Sequence, residues 1–325
     1  MTTPFVSVVI PNYNYARYVS QAIDSVLAQT YRHHEVIVIN NGSTDNSAEV
    51  LRGYGDRIRW IDQENRGQSG ARNRGIEESR GELIAFLDAD DAWLPAKLER
   101  QIACLRDARI GLVYSSCIDT DASLKPLRVR LGTRGGSILR DMALSQITII
   151  AGESTALVRR DCFERVGMFD LQLSLSAGWD MWRRIATHYK VGVVSDPLVF
   201  YRQHGTNMHR NVDLMEHDKL YSLAKMFDDP AAADVQPLRK QSYANVYLAL
   251  CGSYLYAGQW QKSASYAIKS VITWPPALGY LAAFPLRHLR RLKPLYRLSD
   301  RDGRLYLVIL FASTIIRSAR ILGTR

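Results

Sequence analysis

Residues 82–95 read ELIAFLDADDAWLP, an apolar run that breaks into three carboxylates within four positions and then into Trp93, Leu94 and Pro95. The run 83–87, bounded by Gly81 and by the acids, has the length and continuity of a strand covered on both faces of a parallel sheet. Asp88, Asp90 and Asp91 then stand at its carboxyl end, the edge where open α/β sheets bind ligands. Crowded carboxylates repel one another unless a cation or a set of donors compensates them. Asp is also a favoured helix cap and Pro a favoured first-turn residue, so Asp90 or Asp91 is placed to cap a helix running on from Pro95. A cap uses one carboxylate and the cluster holds three, so the segment points to a metal.

Outward from this stretch, 6–10, 35–39, 58–61, 83–87 and 111–114 read as strands, with helices expected over 16–29, 47–53, 67–79 and 95–107. Strand and helix alternating with short connections predict a parallel sheet flanked by helices on both faces. The polar segments Pro11-Asn12-Tyr13-Asn14, NNGSTD at 40–45 and DADD at 88–91 would then share one edge. Past Ser115 the alternation weakens: 127–131, 155–158, 191–194 and 198–202 read as strands and 179–188 as a helix. From 215 to 271 the pattern is helical, and Leu248, Gly252, Leu255, Ala264, Ile268 and Pro276 fall near the spacing of a tetratricopeptide-like helical hairpin.

The length of 325 residues allows more than one structural unit, and 47% hydrophobic with 23% charged residues is a globular composition, not a disordered one. Cys104, Cys117, Cys162 and Cys251 form no Cys-x-x-Cys pair, which argues against a structural zinc site and a disulfide framework and favours a reducing, cytoplasmic setting. The opening MTTPFVSVVIP has no basic region ahead of its apolar stretch, so no signal peptide is expected. The net charge of +10 is confined to the end of the chain, where residues 259–325 carry twelve Lys and Arg against Asp300 and Asp302. There the apolar stretch LYLVILFASTII (305–316) is too short to cross a bilayer as a helix. Flanked by Arg304 and Arg317, it suits a segment lying at an anionic membrane surface, or a helix packed on the body of the protein. The neutral remainder shows no second basic block, so nucleic acid is not an expected partner.

VSVVIPNYNYARYVSQAIDSVLAQTY from Val6, VIVINNGSTDNS from Val36 and NRGQSGARNRGIEESRGELIAFLDADDAWLPAKLE from Asn65 together resemble the inverting glycosyltransferases of family 2. The resemblance runs from about residue 6 to 207 and rests on several separate motifs in order. It implies a GT-A, Rossmann-like α/β fold over 1–212, a mostly parallel sheet flanked by helices, followed by a helical, basic region over 213–325. It also implies that Asp88 contacts the ribose of a nucleotide-sugar donor and Asp90 holds Mn²⁺ or Mg²⁺, hard ions suited to oxygen ligands. By the same resemblance Pro11 and Tyr13 lie under the nucleobase, although the Tyr13 ring is also placed to pack on the first helix. Arg72 approaches the nucleotide or is a solvated helix charge. His204, in Tyr201-Arg202-Gln203-His204, approaches the diphosphate or the metal.

Two positions depart from the family pattern. Where relatives carry an acid that hydrogen-bonds the base, this chain has Asn41, whose amide still offers a donor and an acceptor to a uracil or thymine edge. Where relatives carry the Asp that takes the acceptor's proton, this chain has Gly178 within SAGWDMW. Asp180 is the nearest carboxylate and the expected base, provided that its helix begins later or is differently angled, with Glu153 second. The implied function is metal-dependent inverting transfer of a sugar to a hydroxyl of a cell-surface glycan or lipid-linked acceptor, at the inner face of the membrane. A non-catalytic nucleotide-sugar-binding scaffold is the alternative. A nucleotidyltransferase is disfavoured, because Pro-Asn-Tyr-Asn replaces the Gly-rich basic loop it needs.

Overall fold

The computed structural model describes residues 3–145, 152–205 and 211–282. The chain divides into two compact units, Met1–Gln236 and Pro237–Arg325. In the first, strands β1 (Val6–Asn12), β2 (His34–Asn41), β3 (Arg59–Gln63) and β4 (Leu83–Phe86) alternate with helices α1 (Ala16–Leu27), α2 (Ser47–Arg52) and α3 (Gly67–Glu78). These strands pair in parallel in the order β3-β2-β1-β4, with Asn12 opposite Asn40 and Val9 opposite Phe86. Their carboxyl ends therefore share one edge, as the alternation predicts.

Period-two alternation along β1 sends Val6, Val8 and Ile10 to the face covered by Val19, Ala22, Ile23 and Val26 of α1. Val9 faces the other way, with Ile84 and Phe86 of β4. Helix α3 lies close against this face because Gly75 has no side chain; a Cβ there would stand 2.1 Å from Val9 Cγ1. The apolar runs are continuous because both faces are covered.

The remainder of the sheet is mixed. Short β5 (Ala92–Trp93) follows the acidic loop, and α4 (Lys97–Cys104) leads to β6 (Ile110–Thr120) and its antiparallel partner β7 (Pro126–Arg130). Beyond α5 (Leu139–Ala143), β8 (Ala156–Arg159) inserts between β4 and β6, antiparallel to both. After α6 (Arg160–Val166) and α7 (Ala177–His188), β9 (Lys190–Arg202) runs parallel to β6 and pairs with β5 at the far edge. The segments 191–194 and 198–202 are thus one strand, with register shifts opposite Ser115–Cys117. Half of the strand pairings are antiparallel, all of them beyond β4.

Helix α8 (Val212–Asp228) belongs to the first unit, so the division falls later than the boundary at 212/213 expected from sequence. Buried Asp218 on α8 accepts hydrogen bonds from the backbone N–H groups of Ser174 and Ser176, just ahead of α7. In the second unit α9 (Arg239–Tyr256) and α10 (Trp260–Thr273) form an antiparallel hairpin, turned at Gly258 with φ +74° and followed by α11 (Ala277–Ala282). Ser263 Oγ donates to Cys251 O, and Ser270 Oγ to Ala244 O. No described helix is long and apolar enough to cross a membrane. The basic, apolar segments expected to reach a membrane surface lie mainly in 283–325, outside the described residues.

Candidate nucleotide-sugar site

The parallel edge carries the site. Asn14, in the left-handed region at φ 56°, turns the β1 loop so that its Oδ1 accepts from Thr44 N at 2.7 Å and its own N–H donates to Ser43 Oγ at 3.0 Å. The first two polar loops are thereby tied together. Pro11 is buried at the end of β1, and the Tyr13 ring beside it is 46% exposed. Tyr13 lies outside the core that packs under α1.

The acids of the third loop have three different fates. Asp88 Oδ1 accepts from Arg72 Nη2 at 2.7 Å. Asp90 Oδ2 is hydrogen-bonded to His204 Nε2 at 2.8 Å. The His204 ring stacks on Tyr18 at 5.4 Å and meets Tyr15 edge-on. Asp91 is buried, accepting from Ser154 Oγ at 2.6 Å and from Arg202 N at 2.9 Å, and so fastens β9 to the turn before β8. Neither Asp90 nor Asp91 caps α4, which starts at Lys97 without a side-chain cap. Burial first, then the negative neighbours Asp90 and Asp88, push the Asp91 carboxyl well above the usual range. Burial and Asp88 likewise raise Asp90, against the His204 hydrogen bond.

Arg72 is not a solvated helix charge. It is fully buried on α3, where Nη2 reaches Asp88 and Nη1 lies 3.1 Å from Glu153 Oε1. Burial opposes its charge, but Glu153 and Asp88 outweigh that and raise its pKa. Glu153 belongs to a 3-10 turn (Gly152–Thr155) pinned by Ser154, which accepts from Asp88 N and, through its carbonyl, from Trp93 Nε1 at 2.8 Å. Ser154 is an organising residue that no sequence motif singled out, and Arg202 and Trp93, which the motifs contain without giving them a role, help it hold the loop.

Two expected roles change. The Asn41 amide is saturated: Oδ1 accepts from Gln63 Nε2 and Arg66 N, and Nδ2 donates to Asn65 Oδ1 and Gly67 O. An amide with both donors and both acceptor lone pairs engaged has none left for a base edge, so Asn41 shapes the β3–α3 loop instead. Asp180 is fully buried and paired with Arg183, Arg184 and Lys225. Helix α7 already includes Gly178, so the late start needed to bring Asp180 into the site does not occur. Two helical positions are a rotation of about 200°, which carries Asp180 from the face of Gly178 to that of Lys225.

Among the described residues no three His, Cys, Asp or Glu side chains form a metal-binding group. Asp90 and His204 nevertheless converge beside Asp88. Mg²⁺ and its like take one or two protein oxygens and complete their shell with phosphate oxygens and water. The residues present therefore fit a cation that arrives with a diphosphate.

The chain matches the family described as glycosyl transferase family 2 over residues 7–167. It is 35% identical over 221 residues to an uncharacterised glycosyltransferase of Nostoc sp. (strain PCC 7120), a match covering 63% of this chain and 66% of that protein. It is 34% identical over 228 residues to an uncharacterised glycosyltransferase of Rickettsia typhi (strain Wilmington), covering 68% of this chain and 71% of that one. Among solved structures it resembles the mannosyltransferase PcManGT from Pyrobaculum calidifontis, in complex with GDP-Man and Mn²⁺, with a TM-score of 0.59 and 20% identity over 96% of this chain and 87% of that one. This likeness bears out the GT-A arrangement of helices around the sheet.

Proposed function

The chain belongs to glycosyl transferase family 2, and from that premise we propose that it is a metal-dependent inverting enzyme that moves a sugar from a nucleoside diphosphate donor to a hydroxyl of a cell-surface glycan or lipid-linked acceptor. The observation that carries this reading is the pair Asp88 and Asp90 at the carboxyl end of parallel β4, facing the Pro11–Asn14 loop across the sheet edge. Asp88, held by Arg72, takes the ribose. Pro11 and exposed Tyr13 form the platform for the base, and the saturated Asn41 keeps the adjoining loop in shape. Asp90, supported by His204, would hold the cation together with the donor's phosphates. A divalent cation bound there supplies charge stabilisation to the departing diphosphate. The bound GDP-Man and Mn²⁺ of PcManGT support a donor and a metal of this kind. The positive excess of residues 259–325 supports an acceptor presented at an anionic membrane surface.

Incubating the full chain with UDP-glucose, UDP-N-acetylglucosamine, GDP-mannose and dTDP-rhamnose, with and without Mn²⁺, and following nucleoside diphosphate release tests this function. The expected result is release from one donor class, removed by a chelator. Binding of a donor without release from any of them would favour the scaffold reading.

A further inference from the structure

We propose that Glu153 is the catalytic base of this enzyme and receives the acceptor's proton on a carboxylate seated against Gly178 at the start of α7. The inference rests on the transferase reading above and adds the group that reading lacks.

The cluster around Arg72 contains several carboxylates, and their partners sort them. Asp88 and Asp90 face the donor, Asp91 is consumed by Ser154 and the backbone of β9, and Asp180 is neutralised on the opposite side of α7. Glu153 is left. Its Oε1 lies 3.1 Å from Arg72 Nη1, yet that nitrogen makes no bond of hydrogen-bonding geometry, so the contact fixes the position of the carboxylate without enclosing it. The Glu153 side chain keeps 12% of its surface open, whereas Asp180 has none.

Three further observations point into the same small space. A Cβ on Gly178 would stand 2.5 Å from Glu153 Oε1, so the carboxylate occupies the volume that any side chain at 178 would fill. That point lies in the first turn of a twelve-residue helix, where the dipole favours an anion. The same point is 3.2 Å from Trp182 Nε1, a buried donor with no hydrogen-bond partner among the described residues. The Trp182 indole N–H and the Glu153 carboxylate therefore lie on the same side of Gly178, where a buried donor with no other partner among the described residues favours the anion. An acceptor hydroxyl reaches the carboxylate at the part of the Glu153 side chain that stays open.

The turn that carries Glu153 is rigid, since Ser154 and Thr155 are bonded to Asp91, Trp93 and Gln101. Burial raises the Glu153 carboxyl, Arg72 opposes the rise and Asp88 adds to it, so the net effect is a stronger proton acceptor than a free glutamate. In the step itself the hydroxyl oxygen forms its bond to the anomeric carbon as the bond from that carbon to the diphosphate oxygen breaks. The electron pair leaves with the nucleoside diphosphate, and the hydroxyl proton passes to Glu153.

The test compares wild type, Glu153→Gln, Glu153→Ala and the double variant Glu153→Ala/Gly178→Asp. Its readouts are hydrolysis of the donor panel with Mn²⁺, water serving as acceptor, and the thermal shift produced by the corresponding nucleoside diphosphates. Glu153→Gln keeps shape and removes the base, so kcat is expected to fall by about 10²–10⁴-fold with the nucleotide-dependent shift intact. The double variant returns a carboxylate to the same space from the opposite wall and is expected to recover at least about tenfold over Glu153→Ala, a rescue that a purely structural role cannot give. Glu153→Gln with kcat within about threefold of wild type, or a loss of nucleotide shift in step with kcat, overturns the assignment. An inactive wild type that also shows no nucleotide shift overturns the transferase reading on which it rests.

Discussion

Replacing Asp90 by alanine is expected to lower turnover by roughly a thousandfold, and to abolish the difference that Mn²⁺ makes to nucleotide binding. Asp90 is held beside Asp88 by the loop after β4, and both burial and that neighbour disfavour its charge. The cluster is thus poised to gain a cation. A cation held there with the donor's phosphates would contribute several kcal/mol of charge stabilisation that no side chain among Arg72, His204 and Asp88 replaces. Losing about 4 kcal/mol of it corresponds to the stated thousandfold. Steady-state kinetics with and without added Mn²⁺ measure this directly. Retained metal-dependent turnover would place the cation elsewhere.

Asp180→Asn is expected to act on stability and leave chemistry nearly alone. The carboxylate is fully buried and sits among Arg183, Arg184 and Lys225, joining α7 to α8. Removing one partner of a buried charge cluster costs about 3–5 kcal/mol, because the remaining charges stay desolvated without their counter-ion. In a unit of this size that corresponds to a fall in Tm of roughly 10 °C. Thermal denaturation reads the loss, and kcat measured well below the new Tm should stay within about threefold of wild type if Asp180 touches no reacting atom. A large fall in kcat with an unchanged Tm would return the base to Asp180.

The parallel half of the fold is legible because buried strands on that side are continuous apolar runs separated by amphipathic helices. Leu83–Phe86 announces both its burial and, through Asp88 and Asp90, the edge that binds. The mixed half is less so. Segment 156–159 reads as a strand, but no periodicity says that it slips between β4 and β6 in the opposite direction, since that depends on how the chain returns after β7. Among site residues, Asp180 is the acid nearest in sequence to the expected position, and the phase of the helix turns it away. Asn41 stands where relatives carry an acid, and the β3–α3 loop uses up its amide. The one signal for Glu153 is a lone acid in the apolar run around GESTALV; its meaning appears only when Gly178 and Arg72 are seen against it.

A thermal-shift titration of the full chain with UDP, GDP, dTDP and CDP, each with and without Mn²⁺, tests the nucleotide site most directly. Stabilisation by one nucleoside diphosphate that requires the metal is expected, since a ligand bound only by the native state raises stability by mass action, about 2.7 kcal/mol at a hundredfold excess over Kd. No shift with any of the four, in the presence of Mn²⁺, would contradict the claim that the edge formed by Tyr13, Asp88 and Asp90 holds a nucleotide donor.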